Sequence, residues 1–147
     1  MPLDFFTKTP LPKQLPEEMN LIIEGLKKSA TKEECLKKVY DLLSEKYRGY
    51  RIRTYIRIGE VFKKDLNFLW GRSGFLHCNN INYLVRIFLV KSGIFKEEDI
   101  ILKWTLVWWI SPHQYLRIKI GENEFINVDI WGKHYGIKFG DYARGFK

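Results

Sequence analysis

The sequence predicts a small α+β domain with N-terminal helices, a central helix that starts at Cys78, and an antiparallel sheet carrying His113 and Asp129. Three observations lead there. Apolar residues recur at helical spacing in two stretches: Cys35, Leu36, Val39, Tyr40, Leu42 and Leu43, then Ile81, Leu84, Val85, Phe88 and Leu89. Beyond Asp99 the chain turns strand-like, over residues 100–110, 115–120 and 125–130. The last two runs are joined by Gly121-Glu122-Asn123-Glu124, a polar link of hairpin length.

Taken in order, residues 1–16 hold Pro2, Pro10, Pro12 and Pro16 and read as an extended arm laid against the domain or partly disordered. An acidic first turn at Glu17, followed by Leu21, Ile22 and Leu26, predicts a short helix. Thr31 with Glu34 forms a capping-box pattern before a helix over 32–47, which Gly49 ends. Residues 50–58 alternate, with Tyr50, Ile52, Thr54, Ile56 and Ile58 opposite Arg51, Arg53, Tyr55 and Arg57, so a strand is predicted. Its arginine row is either a solvated face or an anion-binding one. Residues 59–76 read as a loop-rich connection with a short helix within 61–69 and a turn bracketed by Gly71 and Gly74. Gly93 stands where a left-handed residue closes the central helix, and counting back places the helix start near His77 to Asn79. The tail after Trp131 is expected to pack across the sheet.

Composition bounds the class. The 147 residues fit one domain, 1–147, able to bury a core without staples or metals. An apolar share of 46% and an aromatic share of 16% exclude a disordered chain. No apolar run approaches the roughly 20 residues of a membrane helix. The N-terminus has neither a basic start nor an apolar leader segment, so a cytoplasmic protein with reduced Cys35 and Cys78 is expected. Cys35 is read as a semi-buried helix residue. Lys and Arg outnumber Asp and Glu by 25 to 17, a formal charge of +8 that favours acidic partners or serves solubility alone. No basic run has the regularity of a nucleic-acid arm. Binding of nucleic acid through Arg51, Arg53, Arg57, Lys63 and Lys64 would show steep salt dependence.

Chemistry concentrates on three residues. A thiol is a nucleophile only as thiolate, and the dipoles at a helix start favour negative charge there, which suits Cys78. His113 follows the turn signal Ser111-Pro112, just before the strand at 115–120, and Asp129 lies on the next strand. In a hairpin the two face each other near its open end, where a carboxylate holds one imidazole nitrogen and the other meets the thiol. Singly, each residue has an ordinary structural reading; order and context carry the inference.

This arrangement resembles the transglutaminase-like superfamily of papain-type cysteine proteins, over Thr31 to Gly132. Its carriers are Gly74-Phe-Leu-His-Cys78, the helix ending at Ser92-Gly93-Ile94, Ser111-Pro-His113-Gln-Tyr-Leu, and Phe125-Ile-Asn-Val-Asp129-Ile-Trp131. The resemblance implies Cys78 as nucleophile, His113 as general base and acid, and Asp129 as the orienting acid, acting on a protein or peptide without a cofactor. The chain departs from the family pattern at Asn79 and Asn80, at Gln114 and Tyr115, and at Ile130. No acidic cluster of calcium-site spacing is present, so metal-dependent cross-linking is not expected.

The first oxyanion donor expected is the backbone N–H of Cys78; Asn79, Asn67 and the Trp70 indole are candidates for the second. His77 is read as a capping or wall residue and His134 as a surface one. Trp104, Trp108, Trp109 and Trp131 are candidates for a groove or for the core. The competing functional class is a non-catalytic binding module of the same fold, holding a protein or an acidic ligand.

Overall fold

The computed structural model describes residues 8–49, 56, 59, 65–107 and 111–143. Apart from residue 56, the predicted strand at 50–58 thus lies outside the described residues, as do the basic group at 51, 53, 57, 63 and 64 and both Trp108 and Trp109. Among the described residues the protein is a small α+β domain with four α-helices and a three-stranded antiparallel sheet.

Helix α1 spans Glu17–Leu26, with Glu17 and Glu18 at its positive end. Helix α2 spans Lys32–Lys46 and starts as the capping signal predicts: Thr31 Oγ1 accepts from the Glu34 N–H at 3.1 Å. The Glu34 carboxylate returns to the N–H of Ala30, one residue earlier than an ideal box, at 2.9 Å. At Tyr47 the backbone becomes extended and enters a short strand β1, Tyr47–Arg48, parallel to β2, Gly74–Phe75. Between these strands lies α3, Leu66–Trp70, whose first turn is capped by the Asp65 side chain. The short helix expected within 61–69 is found at the C-terminal end of that range, residues 61–64 lying outside the described ones.

Helix α4 runs Cys78–Lys91 with His77 as N-cap and Gly93 left-handed at φ +78. It is more enclosed than its apolar stripe suggests, since every residue from Asn79 to Leu89 is buried. Burying each of Leu84, Ile87, Phe88 and Leu89 is worth about 1.5–3 kcal/mol. The polar positions are absorbed by specific partners. Asn82 Nδ2 donates to the backbone and side-chain oxygens of Gln114 at 3.2 and 3.1 Å. Arg86, fully buried, donates to the Thr9 carbonyl at 2.8 Å and pairs with Glu97 at 3.1 Å. That contact, with Leu11 and Leu15 against the core, lays the N-terminal arm on the body from residue 8 onward.

A short 3-10 turn, Glu97–Asp99, leads into β3 (Ile100–Val107), β4 (Ser111–Lys119) and β5 (Phe125–Val128), in the spatial order β3-β4-β5. His113 lies inside β4 opposite Thr105, not before the strand; Pro112 is tolerated because it is only the second strand residue. Leu116 and Ile118 turn one face of the sheet toward the core shared with α4. Tyr115 and Arg117 alternate to the other face, crossed by the C-terminal segment through a bridge between Asn127 and Gly140. Strand β5 ends before Asp129, whose Oδ1 accepts the Gly132 N–H at 2.9 Å and turns the chain into a 3-10 helix, Trp131–Tyr135. No described helix is long and apolar enough to cross a membrane.

Candidate active site

Three elements converge on one corner of the domain. Cys78 is the first residue of α4, half-buried, with its backbone N–H ahead of the helical hydrogen-bond ladder. His113 comes from β4 and Asp129 from the end of β5, and both are buried. Extending the β4–β5 register one residue sets Asp129 against Tyr115, hence diagonal to His113 on the same face. The imidazole Nε2–H donates to Asp129 Oδ2 at 2.7 Å. Cys78 lies near enough to the same imidazole to help raise its pKa. The three residues named from sequence are thus brought together at one corner of the domain.

The electrostatics follow from this packing. Burial by itself pulls the His113 pKa down. The charge of Asp129 and the hydrogen bond to it, joined by the hydrogen bond and charge of Cys78, outweigh burial and push it up to about 10. The imidazole is therefore held as a cation at neutral pH. Asp129 is fixed on its other sides by two backbone donors, Gly132 N–H on Oδ1 at 2.9 Å and Ala143 N–H on Oδ2 at 2.8 Å. Tyr40, near enough to feel that carboxylate, stays neutral: burial first, then Asp129 and Asp41, push it up to about 12.

Trp131, a candidate for groove or core, is buried, its indole tilted 43° against the His113 ring at 4.8 Å. The indole also lies on the backbone of Gly49, where a Cβ would stand 2.3 Å from the Trp131 Cδ2 and Cε2 atoms. Gly49 therefore does more than end α2; it makes room for the ring that covers the histidine. Gly49→Ala is expected to cost about 1–3 kcal/mol by overpacking, measured by urea unfolding. An unchanged midpoint would show that the indole shifts without penalty.

The remaining sequence candidates fall differently. The Trp70 N–H donates to Glu18 Oε2 at 3.2 Å and the ring packs edge-on against Phe88, so Trp70 is a core anchor and not a free oxyanion donor. Asn67 is exposed on the first turn of α3, where its backbone N–H meets Asp65. Asn79 is buried beside Cys78. His77 caps α4 without a side-chain cap bond and sets its ring edge-on to Phe75 at 5.0 Å, as a wall residue. Cys35 is fully buried, deeper than the semi-buried position expected, and burial raises its pKa. Trp104 is partly exposed at 37% on β3. Among the described residues no group of His, Cys, Asp and Glu is arranged to hold a metal ion.

Sequence reasoning missed the Ala143 and Gly132 amides, the Trp131–Gly49 stack and the Asn82–Gln114 bond. Backbone donors and ring stacks between distant segments leave no spacing signal. A single hint lies in the aspartate three residues before Gly132, the spacing of a helix-capping side chain. No family profile, curated protein or solved structure matches this chain.

Proposed function

We propose that the protein is a transglutaminase-like cysteine enzyme that opens an amide or peptide bond through a thioester on Cys78. The observation that carries this reading is the buried His113–Asp129 hydrogen bond of 2.7 Å, with the same imidazole near a cysteine that opens a helix. In the proposed cycle the Cys78 sulfur attacks the substrate carbonyl carbon and a C–S bond forms. The carbonyl oxygen, now negative, is met by the Cys78 backbone N–H. The proton lost by the thiol, already carried on the His113 imidazolium, passes to the departing nitrogen, the C–N bond breaks, and an amine leaves. Water then attacks the thioester, gives one proton to His113, and the C–S bond breaks to release a carboxylic acid and restore the thiol. An amine in place of water would give acyl transfer; no amine-binding feature among the described residues favours it, so hydrolysis is the leading outcome.

Two further features support the reading. The Trp131 indole covers the imidazole and limits water around the His113–Asp129 bond, strengthening it. The buried Asn82–Gln114 bond ties α4, one turn after Cys78, to the strand residue next to His113, which holds nucleophile and base in fixed register. The test is to incubate the protein with a library of protein-derived peptides and sequence new amino termini by mass spectrometry. Wild type is expected to generate them, and Cys78→Ala, with its fold intact, to generate none. Cleavage that survives in Cys78→Ala would sink the proposal. Tight peptide binding without cleavage would favour the binding-module reading.

A further inference from the structure

Residues 137–143 lie beyond Gly132, outside the stretch over which the chain resembles the family, yet they reach the centre of the site. Phe139 packs edge-on against Tyr40 of α2, with ring centroids 5.0 Å apart. The Gly140 N–H donates to the Asn127 carbonyl at 3.1 Å, adding to the β5 edge. The Tyr142 ring stacks on Tyr115 of β4 at 4.0 Å and 5°. These anchors, one on α2, one on β5 and one on β4, seat Ala143, which is buried with Val107 and Ile137. From that seat the Ala143 N–H donates at 2.8 Å to Asp129 Oδ2, the oxygen that also takes His113 at 2.7 Å.

We infer that Ala143 is a positioning residue of the triad, acting through its backbone amide, and that the segment 139–143 is the clamp that delivers it. The inference rests on the reading of Cys78, His113 and Asp129 as an activated cysteine site. Its physical basis is rotational. With Gly132 alone, the Asp129 carboxylate is held by a backbone donor at Oδ1 only. A second amide on Oδ2 fixes the carboxylate plane and so the direction from which His113 Nε2 is held. That direction sets where Nδ1 points, toward the thiol. The clamp ties this orientation to α2, β4 and β5 together, so displacement of the C-terminal segment would loosen the imidazole while leaving Cys78 in place.

The test uses the full-length chain. Ala143→Pro removes the N–H with little change in side-chain volume, and Ala143→Gly keeps it. Alkylation of Cys78 by iodoacetamide is followed against pH, with mass spectrometry separating Cys78 from Cys35. Ala143→Pro is expected to slow neutral-pH labelling about 10-fold, the scale of one lost hydrogen bond to a charged group, and to move the profile toward that of an ordinary thiol. Ala143→Gly should follow wild type. A folded Ala143→Pro with the wild-type profile would overturn the inference. Should that variant not fold, hydrogen exchange of the Ala143 amide in wild type decides: protection supports the bond, and exchange at the rate of an exposed amide overturns it. His113→Ala separates the two levels. If it leaves Cys78 labelling unchanged, the reading of the site fails; if it slows labelling where a folded Ala143→Pro does not, only the positioning role fails.

Discussion

In His113→Ala, alkylation of Cys78 at neutral pH is expected to fall by about 100-fold or more, the scale of a positioned acid–base group. The imidazole is the charged group near Cys78, and its charge is maintained by Asp129 behind it. Removing it leaves the half-buried Cys78 without its cationic neighbour. The same variant gives a second readout, the dependence of stability on pH. His113 has a folded-state value near 10, above the unperturbed 6.5, so its protonated form favours the folded state over the unfolded one. Its contribution is present in full below about pH 6.5 and is lost as pH rises toward 10. Urea unfolding across that window should therefore show wild type losing stability with a slope that His113→Ala lacks. Parallel curves would mean that the histidine is not charged in the folded protein.

Asp129→Ala is expected to be the most destabilising substitution at the site, costing about 3–5 kcal/mol in urea unfolding. The side chain is buried and accepts three hydrogen bonds, from His113 Nε2, Gly132 N–H and Ala143 N–H. Its loss leaves a buried imidazole and two buried amides without their acceptor at once. Asp129→Asn keeps one acceptor oxygen, enough for one of the two carboxylate positions, and loses the charge, so it should cost less stability than Asp129→Ala while still impairing Cys78 labelling. A loss below about 1 kcal/mol for Asp129→Ala would show that water or a shifted side chain replaces the carboxylate, and that the pair is not held dry.

The elements that position the site are largely legible in the residues themselves. Thr31 caps α2, Cys78 opens α4, Gly93 closes it in the left-handed conformation, and the Gly121–Glu124 link joins the strand bearing His113 to the one that leads into Asp129. Each is a local matter. Caps, turns and the periods of buried residues act over a few neighbouring positions, so residue type and spacing carry them. The order Cys, His, Asp and the hairpin between the last two are enough to name the three residues that the fold brings together. Alternation alone carries β5 on to residue 130, past its end at Val128, because the Asp129 carboxylate captures the Gly132 amide and turns the chain.

How those residues are held is a matter of tertiary contacts. Asn82, Arg86 and Gln114 are polar, and residue type alone would set them on a solvated face, yet all three are buried. Their partners lie far along the chain: Asn82 meets Gln114, and Arg86 meets Thr9. Trp70 offers an indole donor by type, and Glu18 of α1 takes it. Gly49 reads as a helix stop, and the Trp131 ring that covers His113 occupies the space its missing side chain leaves. Ala143 carries no reactive side chain at all, yet its amide shares the oxygen that orients His113. Which groups could carry the chemistry is thus encoded in residue types and their local spacings. Their orientation comes from the three-dimensional fold alone, since it depends on backbone donors and ring stacks between segments whose separation no periodicity encodes.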